Sequence, residues 1–287
     1  MKNNKSLNWT NWPVYGSEER KVVDRVIKSN QLFAEKEVSK FEKEFESYND
    51  SKNVFCVGNA TQGLHLALAA LGIGVGDEVI VTNYSWISSA SCILMQNAVP
   101  IFCDIEEDTL GIDPKKIISK ITNKTKAILY VHMFGNPARI DEINLIAKKY
   151  KLFVIEDASH AHGATYKGKK VGNFSDIAVF SVHQRKNLSC GEGGIVVSKK
   201  KEIGNKIYKL RSFGEKQLSY NYRMTEFSAA IGRVRLKTLN KENEIRNEKA
   251  DFIFDKTNKF DEFKFIKPSN NSYSVYHKLI LKIKDKN

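Results

Sequence analysis

The sequence predicts an α/β protein in which helices cover both faces of a mostly parallel sheet, that is, a three-layer α/β/α domain. Three observations lead to this fold class. Short apolar, β-branched runs alternate with helical patterns between residues 54 and 197. Several of these runs are apolar on both alternating faces, as strands buried beneath two helical layers are. The chain of 287 residues, 41% of them hydrophobic, is also long enough to bury a substantial core.

Seven short runs are predicted to be the strands of this sheet. They are Val54–Val57, Glu78–Val81, Pro100–Cys103, Ala127–Val131, Phe153–Glu156, Ile177–Phe180 and Ile195–Val197. The clearest helical patterns between them are Leu64–Leu71, Ile87–Gln96 and Ile140–Tyr150. Because ligands in such folds bind beyond the carboxyl ends of the strands, we expect the functional residues there.

The pattern becomes helical after residue 200. Thr225 can cap a helix N-terminus, and apolar side chains recur at helical spacing from Phe227 to Leu239. Strand-like sequence returns at Phe263–Ile266 and again between Val275 and Ile283. We therefore predict a large domain at residues 1–240, with an N-terminal arm at 1–30, and the beginning of a small C-terminal α+β domain at 241–287.

The formal net charge is +13, which raises the question of nucleic-acid binding. Residues 199–287 hold 22 Lys/Arg against 11 Asp/Glu, so most of the excess lies in the last third of the chain. These lysines are scattered among Asn and Glu without the Arg clusters or interleaved aromatics of a nucleic-acid site. We expect no nucleic-acid partner.

Membrane and metal sites are not expected either. No apolar run approaches the length of a transmembrane helix, and the N-terminus leads into Asn, Trp and Thr rather than an apolar signal segment. The four cysteines include no Cys-x-x-Cys pair. The cytoplasm is the expected location.

The first candidate site is the stretch Asn59-Ala60-Thr61-Gln62, where a strand leads into an apolar helix. The free N–H groups and the dipole of a helix start favour a phosphate, and the Thr61 hydroxyl can add a hydrogen bond. An ordinary helix cap would have the same residues, so this stretch alone leaves both interpretations open.

The second candidate is Asp157, at the end of the buried strand Phe153–Glu156. An ionised carboxylate beside a pyridine nitrogen keeps that nitrogen protonated, which strengthens the ring as an electron sink. A helix cap for the following residues is an equally good interpretation. His160 and His162 can be core or ligand-binding residues, and nothing local separates the two.

The most specific stretch runs from Val179 to Gly194. It holds a strand end, the hydroxyl of Ser181, Lys186 five residues later and a glycine pair at Gly193-Gly194. A lysine held over a cofactor can form a Schiff base and then move a proton. As a bare pattern, Lys186 could equally be a surface lysine.

Taken together, these stretches resemble the DegT/DnrJ/EryC1/StrS family of aminotransferases that depend on pyridoxal 5′-phosphate (PLP), which have the PLP-dependent transferase fold type I. Four stretches match the family in order. They are Asn59–Leu64, Glu156–Ala164, the string from Phe180 to Gly194 with its lysine, and Tyr220–Gly232. The resemblance extends from about Pro13 to the last residues.

The resemblance implies a role for each matching position. Lys186 would carry PLP as a Schiff base and act as the proton-transfer group, and Asp157 would pair with the pyridinium nitrogen. His160 would lie near the ring oxygen of the cofactor. The phosphate would be held by Ala60, Thr61, Gln62 and Ser181.

Two further positions concern the cofactor face and the partner subunit. Trp86 falls where the family places an aromatic ring stacked on PLP, although without the family it would be interpreted as a core residue. Asn221 matches the residue that reaches the phosphate in the neighbouring subunit, which implies a homodimer with shared active sites.

The chain departs from the family pattern in three places. It has Val182 where phenylalanine is typical and Ala60 where glycine is typical. Family members also continue well beyond residue 287, so the resemblance leads us to expect that much of the small domain is absent.

As the family implies it, the function is transfer of an amino group from L-glutamate to a keto sugar, most often nucleotide-linked, in amino-sugar or polysaccharide biosynthesis. A PLP-dependent sugar dehydratase is one alternative, but those relatives typically carry histidine where Lys186 stands. A non-catalytic or regulatory PLP-binding paralogue is the other alternative.

Overall fold

The structure of the protein is a computed structural model that describes residues 12–33, 35–213 and 218–283. The first eleven residues of the predicted N-terminal arm therefore lie outside the described residues. Eight α-helices occur in the described part: α1 (Ser17–Ser29), α2 (Lys36–Asn49), α3 (Ala60–Ala70), α4 (Ser88–Met95), α5 (Pro114–Ile117), α6 (Ile140–Tyr150), α7 (Lys201–Arg211) and α8 (Glu226–Thr257).

Twelve strands occur in the same part of the chain. They are β1 (Val54–Val57), β2 (Glu78–Thr82), β3 (Val99–Cys103), β4 (Thr125–Val131), β5 (Phe153–Asp157), β6 (Thr165–Tyr166), β7 (Lys169–Lys170), β8 (Ile177–Ser181), β9 (Gly194–Ser198), β10 (Phe263–Phe265), β11 (Ser272–Tyr273) and β12 (Leu281–Ile283). Seven of them form the central sheet in the order β1-β9-β8-β5-β4-β2-β3. Only β9 runs antiparallel to its two neighbours in this sheet. The predicted fold class is therefore confirmed, and all seven predicted strands are present within two residues of the predicted ends.

Two apolar layers pack on opposite faces of the sheet. One contains the buried faces of α2, α6 and α8 and is centred on residues such as Phe41, Phe45 and Phe180. The other contains α3, α4 and α7 with residues such as Leu66 and Ile93. Because both faces are covered, consecutive side chains of one strand enter different layers.

The C-terminal part of the described chain makes two small sheets. Strand β10 pairs with β12, and β11 pairs with β6, so the residues after α8 fold back onto the large sheet domain. Helix α8 runs without a break from Glu226 to Thr257, with Thr225 as its predicted cap accepting a hydrogen bond from the Ser228 amide at 3.2 Å. The predicted division at residue 240 thus falls inside a continuous helix, and the division into domains stays a prediction. Among the described residues, no helix is both long and apolar enough to cross a bilayer.

Candidate active site

The carboxyl ends of β1, β4, β5 and β8 lead into the loops that carry the candidate residues. Strands β4, β5 and β8 are parallel neighbours, and β1 runs in the same direction two strands away from β8. Their carboxyl ends therefore meet at one edge of the sheet. The predicted position of the site, beyond this edge, agrees with the topology.

The start of α3 is shaped to accept an anion. The Asn59 side chain accepts a hydrogen bond from the Gln62 amide at 2.9 Å, which satisfies one of the first amides of the helix. The amides of Ala60 and Thr61 belong to the first turn, where no intrahelical acceptor exists. The hydroxyls of Thr61 and Ser88 share a hydrogen bond of 2.7 Å. Two free amides and a hydroxyl thus lie at the positive end of the helix dipole.

Gly194 lets this helix start approach the sheet closely. Ser181 at the end of β8 pairs with Gly194 in the β-ladder, which places Ser181 beside the same helix start. A β-carbon built at Gly194 would lie 2.7 Å from the Asn59 carbonyl carbon and 2.8 Å from the Ala60 nitrogen. Only glycine fits this contact, because backbone atoms on both sides fix the separation.

Replacing Gly194 with alanine should displace the start of α3 and weaken phosphate binding. Overpacking of this kind costs about 1–3 kcal/mol, which corresponds to about 5- to 150-fold weaker PLP binding if the displacement is expressed at the site. A fluorescence titration with PLP measures the effect. Gly74→Ala is the matched control, since its added β-carbon would have no neighbour closer than 3.9 Å and its φ is not positive. Equal PLP affinity in the two variants would contradict this account of Gly194.

Asp157 ends β5 and is 5% exposed. Its Oδ2 accepts a hydrogen bond from the Ser89 hydroxyl at 3.0 Å, and its Oδ1 accepts one from the Ser159 amide at 3.1 Å. The neighbouring Glu156 points to the other face of the sheet, where it contacts His132 at 2.8 Å. The alternation of the strand therefore aims one carboxylate at the candidate site and buries the other in a separate polar cluster.

Lys186 lies in the loop after β8 and is partly buried. Burial lowers the pKa of its amine from 10.5 to about 8, although the charge of Asp157 raises it and that of Lys278 lowers it further. A larger fraction of the amine is therefore neutral near pH 8 than in an ordinary lysine. Neutral amines are the nucleophiles that attack carbonyl groups.

The reaction of Lys186 with an aldehyde should accordingly follow a pH midpoint near 8 instead of the ordinary value of 10.5. Because the folded-state pKa is lowered, the reactive neutral form increases as the pH rises through 8. The midpoint is obtained from the rates at which PLP attaches to individual lysines. These rates are measured by borohydride trapping and peptide mass spectrometry across the pH range. The exposed Lys206 in α7 is the internal control, and Lys278→Met should move the Lys186 midpoint upward by removing a nearby positive charge. Identical midpoints for Lys186 and Lys206 would contradict the assignment.

His160 follows β5 and stacks on two aromatic rings. Its imidazole lies 6.1 Å from the Phe134 ring with an interplanar angle of 2°, and 4.5 Å from the His277 ring with an angle of 15°. Burial, together with the charge of Lys186, lowers the pKa of His160 to about 2, so the ring is neutral in ordinary buffers. Its Nδ1 is buried and has no hydrogen-bond partner among the described residues. Such a group is expected to bind a ligand or an ordered water.

His162, two residues later, is fully buried against Phe180. Burial and the charge of Lys186 lower its pKa to about 3. The sequence left open whether it belongs to the core or to the site, and the structure places it in the core, within electrostatic reach of Lys186.

Trp86 and Asn221 both lie at the surface of the chain. Trp86 lies in the turn before α4 and is 72% exposed. Asn221 is exposed too, in a backbone bridge with Ser212. The rings of Tyr220 and Tyr222, on either side of it, stack on each other at 4.8 Å. Asn221 is thus exposed between two stacked rings.

The structure also adds residues that the sequence did not single out. Ser89 binds Asp157, Ser88 binds Thr61, Phe134 and His277 stack around His160, and Asn187 bonds to His277. The two serines are the first residues of α4, so the helical pattern at 87–96 could have indicated them. Phe134 and His277 have no such local signal, since each is brought to His160 by the fold.

Comparison with known proteins gives a consistent result. The family model described as the DegT/DnrJ/EryC1/StrS aminotransferase family matches residues 13–287. The chain is similar to the GDP-perosamine synthase of Escherichia coli O157:H7, with 40% identity over 234 residues, covering 78% of this chain and 64% of that protein. The matched regions span only 63–66% of the length of five curated relatives.

Solved structures agree with the fold. The aminotransferase of Psychrobacter cryohalolentis superposes with a TM-score of 0.94 and 34% identity, covering 96% of this chain and 77% of that one. NtdA of Bacillus subtilis, solved with bound cofactor PMP, superposes with a TM-score of 0.86 and 28% identity, covering 93% and 63% of the two chains. The fold is therefore that of the fold type I PLP-dependent aminotransferases.

Proposed function

This chain belongs to the DegT/DnrJ/EryC1/StrS aminotransferase family, and from that premise we propose that it is a PLP-dependent sugar aminotransferase. The observation that carries the proposal is the arrangement around Lys186. A lysine with a lowered pKa lies within electrostatic reach of the buried Asp157, at the sheet edge where α3 begins. Such an arrangement combines an amine nucleophile, a carboxylate and an anion-binding helix start in one place.

The described residues fit PLP on the evidence of their own unsatisfied groups. The first-turn amides of α3 and the hydroxyls of Thr61 and Ser181 suit the phosphate, with Ala60 and Gln62 on either side of Thr61. The buried, unpartnered Nδ1 of His160 suits a polar ring substituent. Asp157 would hold the pyridine nitrogen, and the exposed Trp86 would cover one ring face.

The cofactor and the protein would supply different parts of the chemistry. When bound, PLP supplies an electron sink for the carbon from which a proton is removed. Lys186 holds and moves that proton, and its lowered pKa near 8 suits a group that must accept and donate at neutral pH. The hydrogen bonds from Ser89 and Ser159 fix the orientation of the Asp157 carboxylate. Because the His160 ring is neutral, it adds no positive charge near the Lys186 amine.

L-Glutamate is the proposed amino donor, and a nucleotide-linked keto sugar is the proposed acceptor. The similarity to a GDP-perosamine synthase at 40% identity supports a sugar acceptor. A role in amino-sugar or polysaccharide biosynthesis, in the cytoplasm, follows from this choice of substrates.

A homodimer with shared active sites is part of the proposal. Asn221 is exposed, as a residue that serves a neighbouring subunit must be when one chain is considered alone. Large apolar side chains close to it are exposed too, including Phe213 and Leu218, the latter at 93%. Apolar surface of this kind is typical of a subunit interface. We further propose that residues 241–287 belong to a separate small domain and 1–240 to the PLP-binding domain.

The acceptor can be identified by incubating the PLP-loaded protein with ¹⁵N-labelled L-glutamate and a panel of nucleotide-linked keto sugars. We expect mass spectrometry to show ¹⁵N in one amino sugar, with a GDP-linked keto sugar as the first compound to test because of the similarity to a GDP-perosamine synthase. Unlabelled glutamate and a boiled sample are the controls. Loss of the sugar oxygen without nitrogen uptake would favour a dehydratase, and bound PLP without any turnover would favour a regulatory protein.

A further inference from the structure

The segment Ser274–Lys278 packs on the candidate site through Ser274, Val275 and His277, although it lies about ninety residues after Lys186 in the chain. The Ser274 hydroxyl and the Val275 amide both donate hydrogen bonds to the Gly135 carbonyl, at 3.0 and 3.1 Å. Gly135 has a φ of +91°, and a β-carbon built there would lie 3.0 Å from both the His160 carbonyl oxygen and the His277 nitrogen. The segment thus docks where the loops after β4 and β5 meet.

This docking places the His277 ring on the His160 ring. The ring centroids are 4.5 Å apart and the planes are inclined by only 15°. Stacked rings at this separation attract each other and restrict each other's rotation. The orientation of His160 therefore depends on His277.

The hydrogen bonds around Asn187 determine the tautomer of His277. The amide nitrogen of Asn187 donates to the Val275 carbonyl at 3.0 Å and to the Asn243 oxygen at 3.2 Å, and a carbonyl can only accept. The Asn243 amide nitrogen in turn donates to the His162 carbonyl at 2.9 Å, which fixes the Asn243 oxygen toward Asn187. The remaining Asn187 oxygen faces the Nδ1 of His277 at 3.3 Å, so this Nδ1 carries the proton.

His277 is also held in its neutral form. Burial and the charges of Lys186, Lys278 and Arg246 lower its pKa to about 3. The His277 ring therefore places no second positive charge against the His160 ring or near Lys186. Asn187, which bonds to His277, follows Lys186 directly in the chain. The His277 ring therefore contacts His160 directly and is linked to Lys186 through Asn187.

We propose that His277 is a positioning residue that, fixed by Asn187 in its Nδ1-protonated form, holds the His160 ring in the orientation in which it meets the cofactor. The contact of His160 with the cofactor rests on the proposed function, whereas the stacking and the tautomer do not. The aromatic ring carries the effect on His160, and the bond to Asn187 sets the angle of that ring.

Three variants separate this role from simple space filling. His277→Ala removes the ring and the donor, His277→Phe keeps a stacked ring without the donor, and Tyr276→Phe is the control in the same segment. In the cofactor-free protein, imidazole ¹H–¹⁵N spectra of the six histidines should show His277 as the Nδ1–H tautomer. The His160 signals should shift and broaden in His277→Ala and return close to their wild-type positions in His277→Phe.

In the PLP-loaded protein, His277→Ala should change the visible circular dichroism of the cofactor and lower kcat by about 10- to 100-fold, the range for a slightly misplaced group. His277→Phe should recover most of both, and Tyr276→Phe should match wild type. Unmoved His160 signals in His277→Ala, an Nε2–H tautomer, or no recovery in His277→Phe would each overturn the proposal. Absence of PLP binding in wild type would instead refute the proposed function, and the cofactor-free spectra would still decide the role of His277.

Discussion

Replacing Lys186 with alanine is expected to lower amino-transfer turnover by more than about 10³-fold, because one side chain both attaches the cofactor and moves the proton. The fold should be unaffected. The Lys186 amine forms no hydrogen bond or ion pair with another described residue, and its lowered pKa shows that the site opposes its positive charge. Thermal unfolding should therefore stay close to that of wild type, while turnover with L-glutamate and the keto sugar is lost.

Lys206→Ala is the matched control for this experiment, since Lys206 is an exposed lysine of α7. It should retain wild-type turnover. Adding a small primary amine such as methylamine to Lys186→Ala should restore part of the activity, because an external base can then move the proton. Turnover within about tenfold of wild type in Lys186→Ala would rule out Lys186 as the proton-transfer group.

Replacing Asp157 with asparagine is expected to lower turnover on the order of 10²-fold or more, because a neutral amide cannot stabilise a protonated ring nitrogen. Asparagine has nearly the same shape, so packing is kept. Only one of its side-chain atoms can accept, so either the Ser159 amide or the Ser89 hydroxyl loses its acceptor. Since the charge of Asp157 raises the pKa of Lys186, the substitution should also lower the Lys186 midpoint further below 8.

Asp108→Asn is the control for charge removal, because Asp108 is exposed and its one ion pair among the described residues is with Arg139 at the surface. Surface pairs contribute less than about 1 kcal/mol, so this variant should behave as wild type. Kinetics and the pH midpoint of Lys186 are measured for both. An Asp157→Asn protein that turns over as fast as Asp108→Asn would contradict the assigned role.

The fold could be predicted from the sequence because its strands are buried on both faces. The stretches Ala127–Val131 of β4 and Ile177–Phe180 of β8 are hydrophobic and buried at every position, and a run of that kind is distinct from the helices that flank it. The C-terminal residues were less predictable. Val275 to Ile283 has strand-like sequence, yet within this stretch only Leu281–Ile283 forms a strand. There the side chains of Ser274, Val275 and His277 bond or pack against the large domain instead of a neighbouring strand.

The candidate site likewise has residues that could be predicted from the sequence and contacts that could not. Asp157, His160 and Lys186 each follow a predicted strand, so the parallel topology is enough to bring them to one edge. The contacts between Ser89 and Asp157 and between Asn187 and His277 join residues 68 and 90 positions apart. No periodic pattern marks such pairs, since their positions depend on loop conformations and on the left-handed backbone of Gly135.

The most direct test of the central claim is the visible absorbance spectrum of the purified protein loaded with PLP, recorded before and after L-glutamate, beside Lys186→Ala. We predict a visible band from lysine-bound PLP in wild type, its loss on adding glutamate, and no such band in Lys186→Ala. A folded wild-type protein that shows no band, or a band that glutamate leaves unchanged, would contradict the proposed aminotransferase function.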